Sequence, residues 1–97
     1  MLRHIVMIKL NNESNTVEVI NKLKTMLNSL EKSIDSLHRM EVGINISKKP
    51  SAFDLVLTAD FEDENGLDEY RVHPSHVLVL NYLKIVMEKA AVVDYIN

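Results

Sequence analysis

Two neighbouring segments of the chain alternate apolar and polar residues with the period of a β-strand. Between positions 38 and 47 the apolar residues take every second place, and between 53 and 61 the same spacing recurs with Phe53, Leu55, Leu57, Ala59 and Phe61. Period-two alternation is typical of a strand with one buried face. Lys48 to Ser51 includes a proline and predicts the turn between them. The two segments therefore predict a hairpin with both apolar faces on the same side of a sheet.

The first strand shows a different pattern, because its centre is apolar on both faces. Residues 2–10 place Val6 and Ile8 on one face and Ile5 and Met7 on the other. A strand covered on one side needs only one apolar face, so we expect both sides of this strand to be covered. Ile5 and Met7, with Val56 of the third strand, are predicted to lie on the sheet face away from the helices. Residues 90–96 predict a short final strand.

Helical spacing appears in two places. Ile20, Leu23, Leu27 and Leu30 recur every three or four residues and predict an amphipathic helix over 16–33, with Asn15 and Glu18 in the spacing of a capping box. A short helix is predicted over 67–72, and Pro74 must interrupt it because proline lacks the amide donor and restricts the residue before it. A further helix follows and is predicted to end near Lys89. Its inward face comprises His76, Val79, Leu80, Leu83 and Met87.

The order of elements is strand, helix, strand, strand, helix interrupted at Pro74, strand. This order predicts an α+β fold of the ferredoxin-like βαββαβ type, with a four-stranded antiparallel sheet and the helices on one face. We expect a single domain over residues 1–97. The uncovered sheet face then predicts a homodimer that packs sheet against sheet, as in a dimeric α/β barrel.

Composition narrows the possible functions. The chain has 97 residues, 46% of them hydrophobic, a formal net charge of −3 and no cysteine. Disulfides, thiolate nucleophiles and cysteine-based metal ligation are excluded, and the interleaved charges give no basic stripe for nucleic acid. The apolar runs are too short for a signal sequence or a membrane span, so neither nucleic acid nor a membrane is predicted as a partner. A cytoplasmic location is the default expectation.

The candidate chemistry lies between Tyr70 and His76, which place a phenol and two imidazoles in one short stretch. An imidazole beside a phenol in an apolar cavity can act as a general base, while the phenol donates to a carbonyl oxygen that becomes an enolate. We therefore predict His76 and Tyr70 as catalytic residues. The alternative is that both are packing residues, with the Tyr70 hydroxyl at the rim of the core.

The other histidines have structural interpretations. His73, before the proline, is predicted to shape the turn with its ring bonded to backbone; His4 is either a buried hydrogen-bonded residue or part of a ligand site; His38 is predicted to be exposed. No metal is predicted, because His73 lies outside the helix that carries His76 and no carboxylate stands at a ligand spacing. No cofactor is predicted either, since two glycines cannot build a phosphate cradle or a dinucleotide fingerprint.

Several segments resemble the stress-responsive A/B barrel domains, a family of dimeric α+β barrels. The resemblance covers nearly the whole chain and is most specific in the Tyr70-Arg71-Val72-His73-Pro74-Ser75-His76-Val77 segment. Further parts of it are the first strand at positions 4–9, the strand at 54–61, and the tail with Glu88-Lys89 and Val93-Asp94-Tyr95.

The resemblance implies roles for individual residues. In a plant polyketide cyclase that this chain is similar to, the residue matching His76 is the base, the residue matching Tyr70 is its partner, and the residue matching His4 lines the cavity. That enzyme carries tryptophan where this chain has Met87, which implies a different ligand. The predicted ligand-binding residues are His4, Leu57, Tyr70, His76 and Met87.

Three functions follow as expectations. The first is a homodimer that binds a small hydrophobic or carbonyl-containing molecule between sheet and helices, with acid–base chemistry of a cofactor-independent lyase or cyclase. The second is a stress-associated or structural dimer without catalysis. The third is a cofactor-independent monooxygenase of the dimeric barrel type.

Overall fold

The computed structural model describes all 97 residues as seven elements. The strands are β1 (Leu2–Leu10), β2 (Leu37–Ile44), β3 (Leu55–Phe61) and β4 (Met87–Ile96), and the helices are α1 (Val17–Ser33), α2 (Glu64–Val72) and α3 (Pro74–Val86). This order confirms the predicted ferredoxin-like arrangement, in which α2 and α3 are the two parts of the interrupted helix.

The strands form one four-stranded sheet in the order β2-β3-β1-β4. All three pairings are antiparallel, as predicted. β1 therefore lies inside the sheet, between β3 and β4, while β2 and β4 form the edges. The helices cover one face, which we call the inner face, and the opposite face is the outer face.

The hydrophobic core lies between the inner face and the helices. The inner row of β3 is almost completely buried, and α1 contributes an apolar stripe that packs onto it. The residues that share this core include Ile8, Leu23, Leu27, Leu30, Ile34, Leu55, Leu57, Ala59, Phe61 and Leu67. The alternation seen in the sequence thus corresponds to real faces of the sheet.

The start of α1 differs from the prediction. Thr16, and not Asn15, is the residue that caps the helix, and its hydroxyl accepts a hydrogen bond from the amide of Val19 at 3.2 Å. Thr16 has extended backbone geometry, so the helix proper begins at Val17. The side chain of a capping residue must reach back to an unpaired amide of the first turn, and Thr16 does so through Val19.

The interruption at Pro74 is present as predicted. His73 ends α2 and also caps α3: its backbone is extended, and its ring Nδ1 accepts a hydrogen bond from the amide of Ser75 at 3.1 Å. Pro74 takes the first position of α3, where a missing amide costs nothing. α2 begins earlier than expected, at Glu64, because Asp63 caps it through the amide of Gly66.

Three further predicted boundaries are wrong. β3 begins at Leu55 and not at Phe53. β2 ends at Ile44, so Ile46 is 96% exposed and belongs to no apolar face. α3 ends at Val86, and Met87, Glu88 and Lys89 belong to β4 and not to the helix. The reason is tertiary pairing: Met87 stands opposite Leu10, and Lys89 opposite Lys9, so the strand extends further back than local spacing indicates.

The outer face carries apolar residues that no other part of the chain covers. Met7 is 42% exposed there, and its neighbours in the sheet are Val56 and Ala91. Val93, beside Ile5 on β4, is 60% exposed. This arrangement agrees with the prediction of an uncovered face. None of the helices has the length and apolar character that crossing a membrane requires.

Candidate functional site

A cavity of about 410 Å³ lies between α3 and the inner face of the sheet along β1 and β4. Most of its lining is aliphatic, from β1, β3, β4, α1 and α3. The structure places all five predicted ligand-binding residues on its wall: His4, Leu57, Tyr70, His76 and Met87. Met87 reaches it from the first position of β4 and not from a helix. An apolar cavity with a few polar groups is the usual form of a small-molecule site.

Tyr70 is the most deeply buried polar residue of the site. It lies in α2 with 1% of its surface exposed, and its ring packs edge-on against Phe61 with the ring centres 5.1 Å apart. Its hydroxyl has no hydrogen-bond partner within the protein. The hydroxyl is nevertheless accessible, because Ser36 is the one residue with an unpartnered side-chain oxygen that is fully inaccessible. Burial raises the pKa of the Tyr70 phenol above its usual value, so the phenol stays protonated and can donate.

His76 lies in the first turn of α3 with its ring centre 4.1 Å from that of Tyr70. Its Nδ1 is 3.2 Å from the backbone oxygen of Arg71. A carbonyl oxygen only accepts hydrogen bonds, so Nδ1 carries the proton and Nε2 of the neutral ring carries the lone pair. Burial lowers the pKa of the imidazole, which keeps it neutral near pH 7. The helix interruption at Pro74 thus supplies the carbonyl that sets the tautomer.

His4 belongs to a polar group that the sequence analysis did not identify. Its Nδ1 is bonded to the carboxylate of Asp94, which stands opposite it in the β1–β4 pairing. The second oxygen of Asp94 lies 3.6 Å from the guanidinium of Arg71, whose other partner is Asp68 at 3.2 Å. The ring of His4 is 6.2 Å from that of Tyr70. The spacing of residues around Asp94 does not indicate this contact, which arises because the antiparallel pairing of the first and last strands brings positions 4 and 94 together.

The remaining histidines lie outside the cavity. His73 caps α3, in agreement with the predicted turn role. His38, at the start of β2, has 45% of its side chain exposed and lies 3.8 Å from Glu62. No group of three or more histidine, aspartate and glutamate side chains is close enough to hold a metal ion.

The geometry defines one kind of chemistry. A protonated phenol with an unused donor and a neutral imidazole with a free lone pair face the same apolar cavity. Such a pair can hold a carbonyl oxygen and remove a proton from the adjacent carbon. Fold and site together define the class of this protein: a two-layer ferredoxin-like domain with a largely apolar cavity between the sheet and the helices.

The chain belongs to the family described as the stress responsive A/B barrel domain, whose model matches residues 2–97. It is similar to the Arabidopsis thaliana stress-response A/B barrel domain-containing protein DABB1, with 28% identity over 99% of this chain. The chain spans about half the length of that relative, 47%. An uncharacterized protein of Streptomyces coelicolor is 32% identical over 78% of this chain and 79% of its own length.

Solved structures agree with the ferredoxin-like fold. A dimeric protein of unknown function with a ferredoxin-like fold from Bacteroides fragilis is 30% identical, with a TM-score of 0.86 over 97% of this chain and 93% of that chain. A hydroxynitrile lyase from Passiflora edulis superposes with a TM-score of 0.85 over 99% of this chain and 93% of the lyase. Its identity is 16%, so this likeness shows the fold alone.

Proposed function

We propose that the protein binds a small, uncharged, largely apolar carbonyl compound in the cavity and promotes proton transfer next to its carbonyl group. The observation that carries the proposal is the Tyr70 hydroxyl, which makes no hydrogen bond within the protein and borders the cavity beside His76. Its donor is therefore free for a ligand oxygen that enters the cavity.

The proposed step uses the two side chains in separate roles. Nε2 of His76 removes the proton, the carbon–hydrogen bond breaks, and its electron pair moves to the carbonyl oxygen to form an enolate. Tyr70 donates to that oxygen as its negative charge develops. A positioned general base contributes on the order of 100- to 10,000-fold to the rate. Enolisation of this kind initiates aldol cyclisation and related lyase reactions.

The charges near the cavity support an uncharged ligand. Arg71 lies on the cavity wall, but Asp68 and Asp94 already pair with it. Two carboxylates therefore neutralise this cation, which leaves it little attraction for an anionic ligand. The aliphatic lining favours an apolar body attached to the carbonyl group.

The active form in this proposal is a homodimer joined through the outer face. The Bacteroides fragilis neighbour is described as dimeric, as are structures from Thermobifida fusca and Jannaschia. The uncovered apolar residues Met7 and Val93 are the part of this chain that a second copy would bury. Sedimentation of the protein as a monomer at micromolar concentration would contradict this part.

Proton exchange tests the proposed chemistry without knowledge of the natural substrate. A set of aliphatic ketones is incubated with the protein in D₂O, and deuterium incorporation next to the carbonyl group is measured by NMR. We expect exchange with the unmodified protein, loss of exchange with preserved binding in His76→Gln, and binding weakened several-fold in Tyr70→Phe. The control is His38→Gln, which changes an exposed histidine outside the cavity.

The outcomes separate the functions that the sequence left open. If the unmodified protein bound the ketones but incorporated no deuterium into them, catalysis would be refuted and the dimer without catalysis would be favoured. Exchange that persists in His76→Gln would refute the assigned base. The monooxygenase alternative and the cytoplasmic location stay predictions.

A further inference from the structure

His4 presents an unused nitrogen to the cavity from the sheet side. Its Nδ1 is bonded to the carboxylate of Asp94, which only accepts hydrogen bonds, so Nδ1 carries a proton. Its Nε2 has no partner within the protein yet is accessible, because Ser36 is the one residue with a fully inaccessible side-chain atom that lacks a partner. The His4 side chain is 10% exposed and lies on the cavity wall. The proposed enolisation leaves this nitrogen without a role.

A ligand in the cavity lies between two imidazoles. His4 belongs to β1 and faces the cavity from the sheet, whereas His76 belongs to α3 and faces it from the helices. Tyr70 is their common neighbour, and its ring centre is 6.2 Å from that of His4 and 4.1 Å from that of His76. Burial is the main cause of the lowered pKa of His76, and the charge that His4 can carry adds to it, so the two rings interact.

The two imidazoles have different hydrogen-bond partners, which separate their acid–base roles. Nδ1 of His76 donates to the neutral backbone oxygen of Arg71, whereas Nδ1 of His4 donates to a carboxylate. Asp94 lies 3.6 Å from the guanidinium of Arg71, which also pairs with Asp68. Two carboxylates and one guanidinium leave one negative charge in excess, and a second proton on His4 neutralises it. The carboxylate therefore stabilises His4 as an imidazolium, which is an acid, while the neutral His76 is a base.

We propose that the protein catalyses migration of the carbon–carbon double bond in β,γ-unsaturated ketones, with His76 as the base at the α carbon and His4 as the acid at the γ carbon. This activity rests on the proposed function, because it uses the same enolate, and it names the substrate class. Enolisation alone needs one base and one donor to the oxygen. A reaction with a second proton transfer, at a second carbon, uses the second imidazole and its carboxylate.

Protons and electrons balance in this reaction without an oxidant or a reductant. Nε2 of His76 removes a proton from the α carbon, and the electron pair of the broken bond forms a dienolate whose oxygen accepts a hydrogen bond from Tyr70. The oxygen then re-forms the carbonyl group, and the double bond at the α carbon shifts to lie between the α and β carbons. The electron pair of the original double bond takes a proton from Nε2 of His4 at the γ carbon. His76 loses its proton to solvent, and His4 regains one, when the product leaves.

An aliphatic β,γ-unsaturated methyl ketone tests this activity. NMR in D₂O follows two rates in one sample: deuterium exchange at the α carbon and formation of the α,β-unsaturated product. We expect the unmodified protein to form this product with deuterium at the γ carbon, because the ring protons of His4 exchange with solvent. Exchange at the α carbon without any product would overturn the inference. A product whose new γ hydrogen came from the α carbon of the same molecule would overturn the role of His4.

Two substitutions that preserve side-chain size separate the acid from the base. His4→Gln removes the acid, and Asp94→Asn removes the charge that stabilises it. Both should lower the ratio of product formation to α exchange at least tenfold, and this ratio corrects for weaker ligand binding. His76→Gln should lower both rates together, and the control His38→Gln, whose side chain is 45% exposed on β2, should leave the ratio unchanged. An unchanged ratio in His4→Gln, or a parallel loss of both rates there and in Asp94→Asn, would refute the assigned acid.

Asp94 acts through His4 and is therefore a positioning residue. Nitrogen NMR of protein with isotope-labelled histidine reports which ring nitrogen carries the proton. We expect a proton on Nδ1 of His4 in the unmodified protein and in His76→Gln, and a changed distribution between the two nitrogens in Asp94→Asn. A spectrum of His4 that Asp94→Asn leaves unchanged would contradict the positioning role.

The double-bond migration and the proposed function fail in different ways. If no ketone binds and none exchanges its α protons, the proposed function itself is contradicted. If saturated ketones exchange their α protons but the unsaturated ketone forms no product, only the migration is contradicted.

Discussion

Tyr70 offers the sharpest separation between packing and function, because its ring and its hydroxyl have different surroundings. The ring is buried in the core against Phe61 and His76, while the hydroxyl makes no hydrogen bond within the protein. Tyr70→Phe removes only the hydroxyl, and Tyr70→Ala removes the ring as well. The two variants therefore test two different properties of one residue.

The expected free energies follow from these surroundings. Tyr70→Phe breaks no hydrogen bond of the folded protein, so the free energy of unfolding should stay within about 1 kcal/mol of its original value. Tyr70→Ala leaves a cavity at a residue that is 1% exposed and should cost about 3–5 kcal/mol. For a domain of this length each kcal/mol lowers the melting temperature by roughly 4–8 °C. The melting temperature of the alanine variant should thus be lower by roughly 12 °C or more.

Urea denaturation followed by circular dichroism measures both values, and ketone binding by NMR supplies the functional readout. We expect Tyr70→Phe to fold normally and bind more weakly. If Tyr70→Phe lost about 2 kcal/mol or more with an unchanged dependence on urea, the hydroxyl would have a structural partner and the reasoning would be wrong. Unchanged ketone binding in a stable Tyr70→Phe variant would equally contradict the assigned role.

Three further predictions concern the ends of the helices and the titration of the site. Burial lowers the pKa of His76, so as the pH falls the unfolded chain takes up a proton at this histidine, near pH 6.5, before the folded protein does. The free energy of unfolding should therefore decrease as the pH drops below that value. Urea denaturation at several pH values measures this decrease, which should be smaller in His76→Gln. His73→Ala should lower the free energy of unfolding by about 1 kcal/mol through loss of the α3 cap, while ketone binding stays unchanged in the same titration. Thr16→Ala should cost about 1 kcal/mol in thermal unfolding and Asn15→Ala almost nothing, since only Thr16 caps α1.

The fold was predictable because its main signals are local. Alternation in β3 and the apolar stripe of α1 identify the elements and their buried faces, and Pro74 marks the interruption through backbone chemistry alone. Element order then selects the topology. The end of α3 was not predictable in this way: Met87, Glu88 and Lys89 suit a helix by propensity, yet pairing with β1 draws them into a strand.

The candidate site shows the same division. His76 and Tyr70 stand close together in the sequence, so their proximity in space followed from one helix interruption. Asp94 stands alone in a strand, and its contact with His4 depends on the register between the two ends of the chain. A single carboxylate carries no spacing signal, which is why the sequence did not single it out.

The placement of β4 at the edge of the sheet has a consequence for which substitutions this fold tolerates. β4 forms one wall of the cavity through Ala90 and Val92, but its extensive contacts are with β1 alone, and neither residue belongs to the hydrophobic core. Side chains of different size can replace them without leaving a void in the core. This wall of the cavity is thus largely free from the demands of folding, so the shape of the cavity can change at little cost to stability.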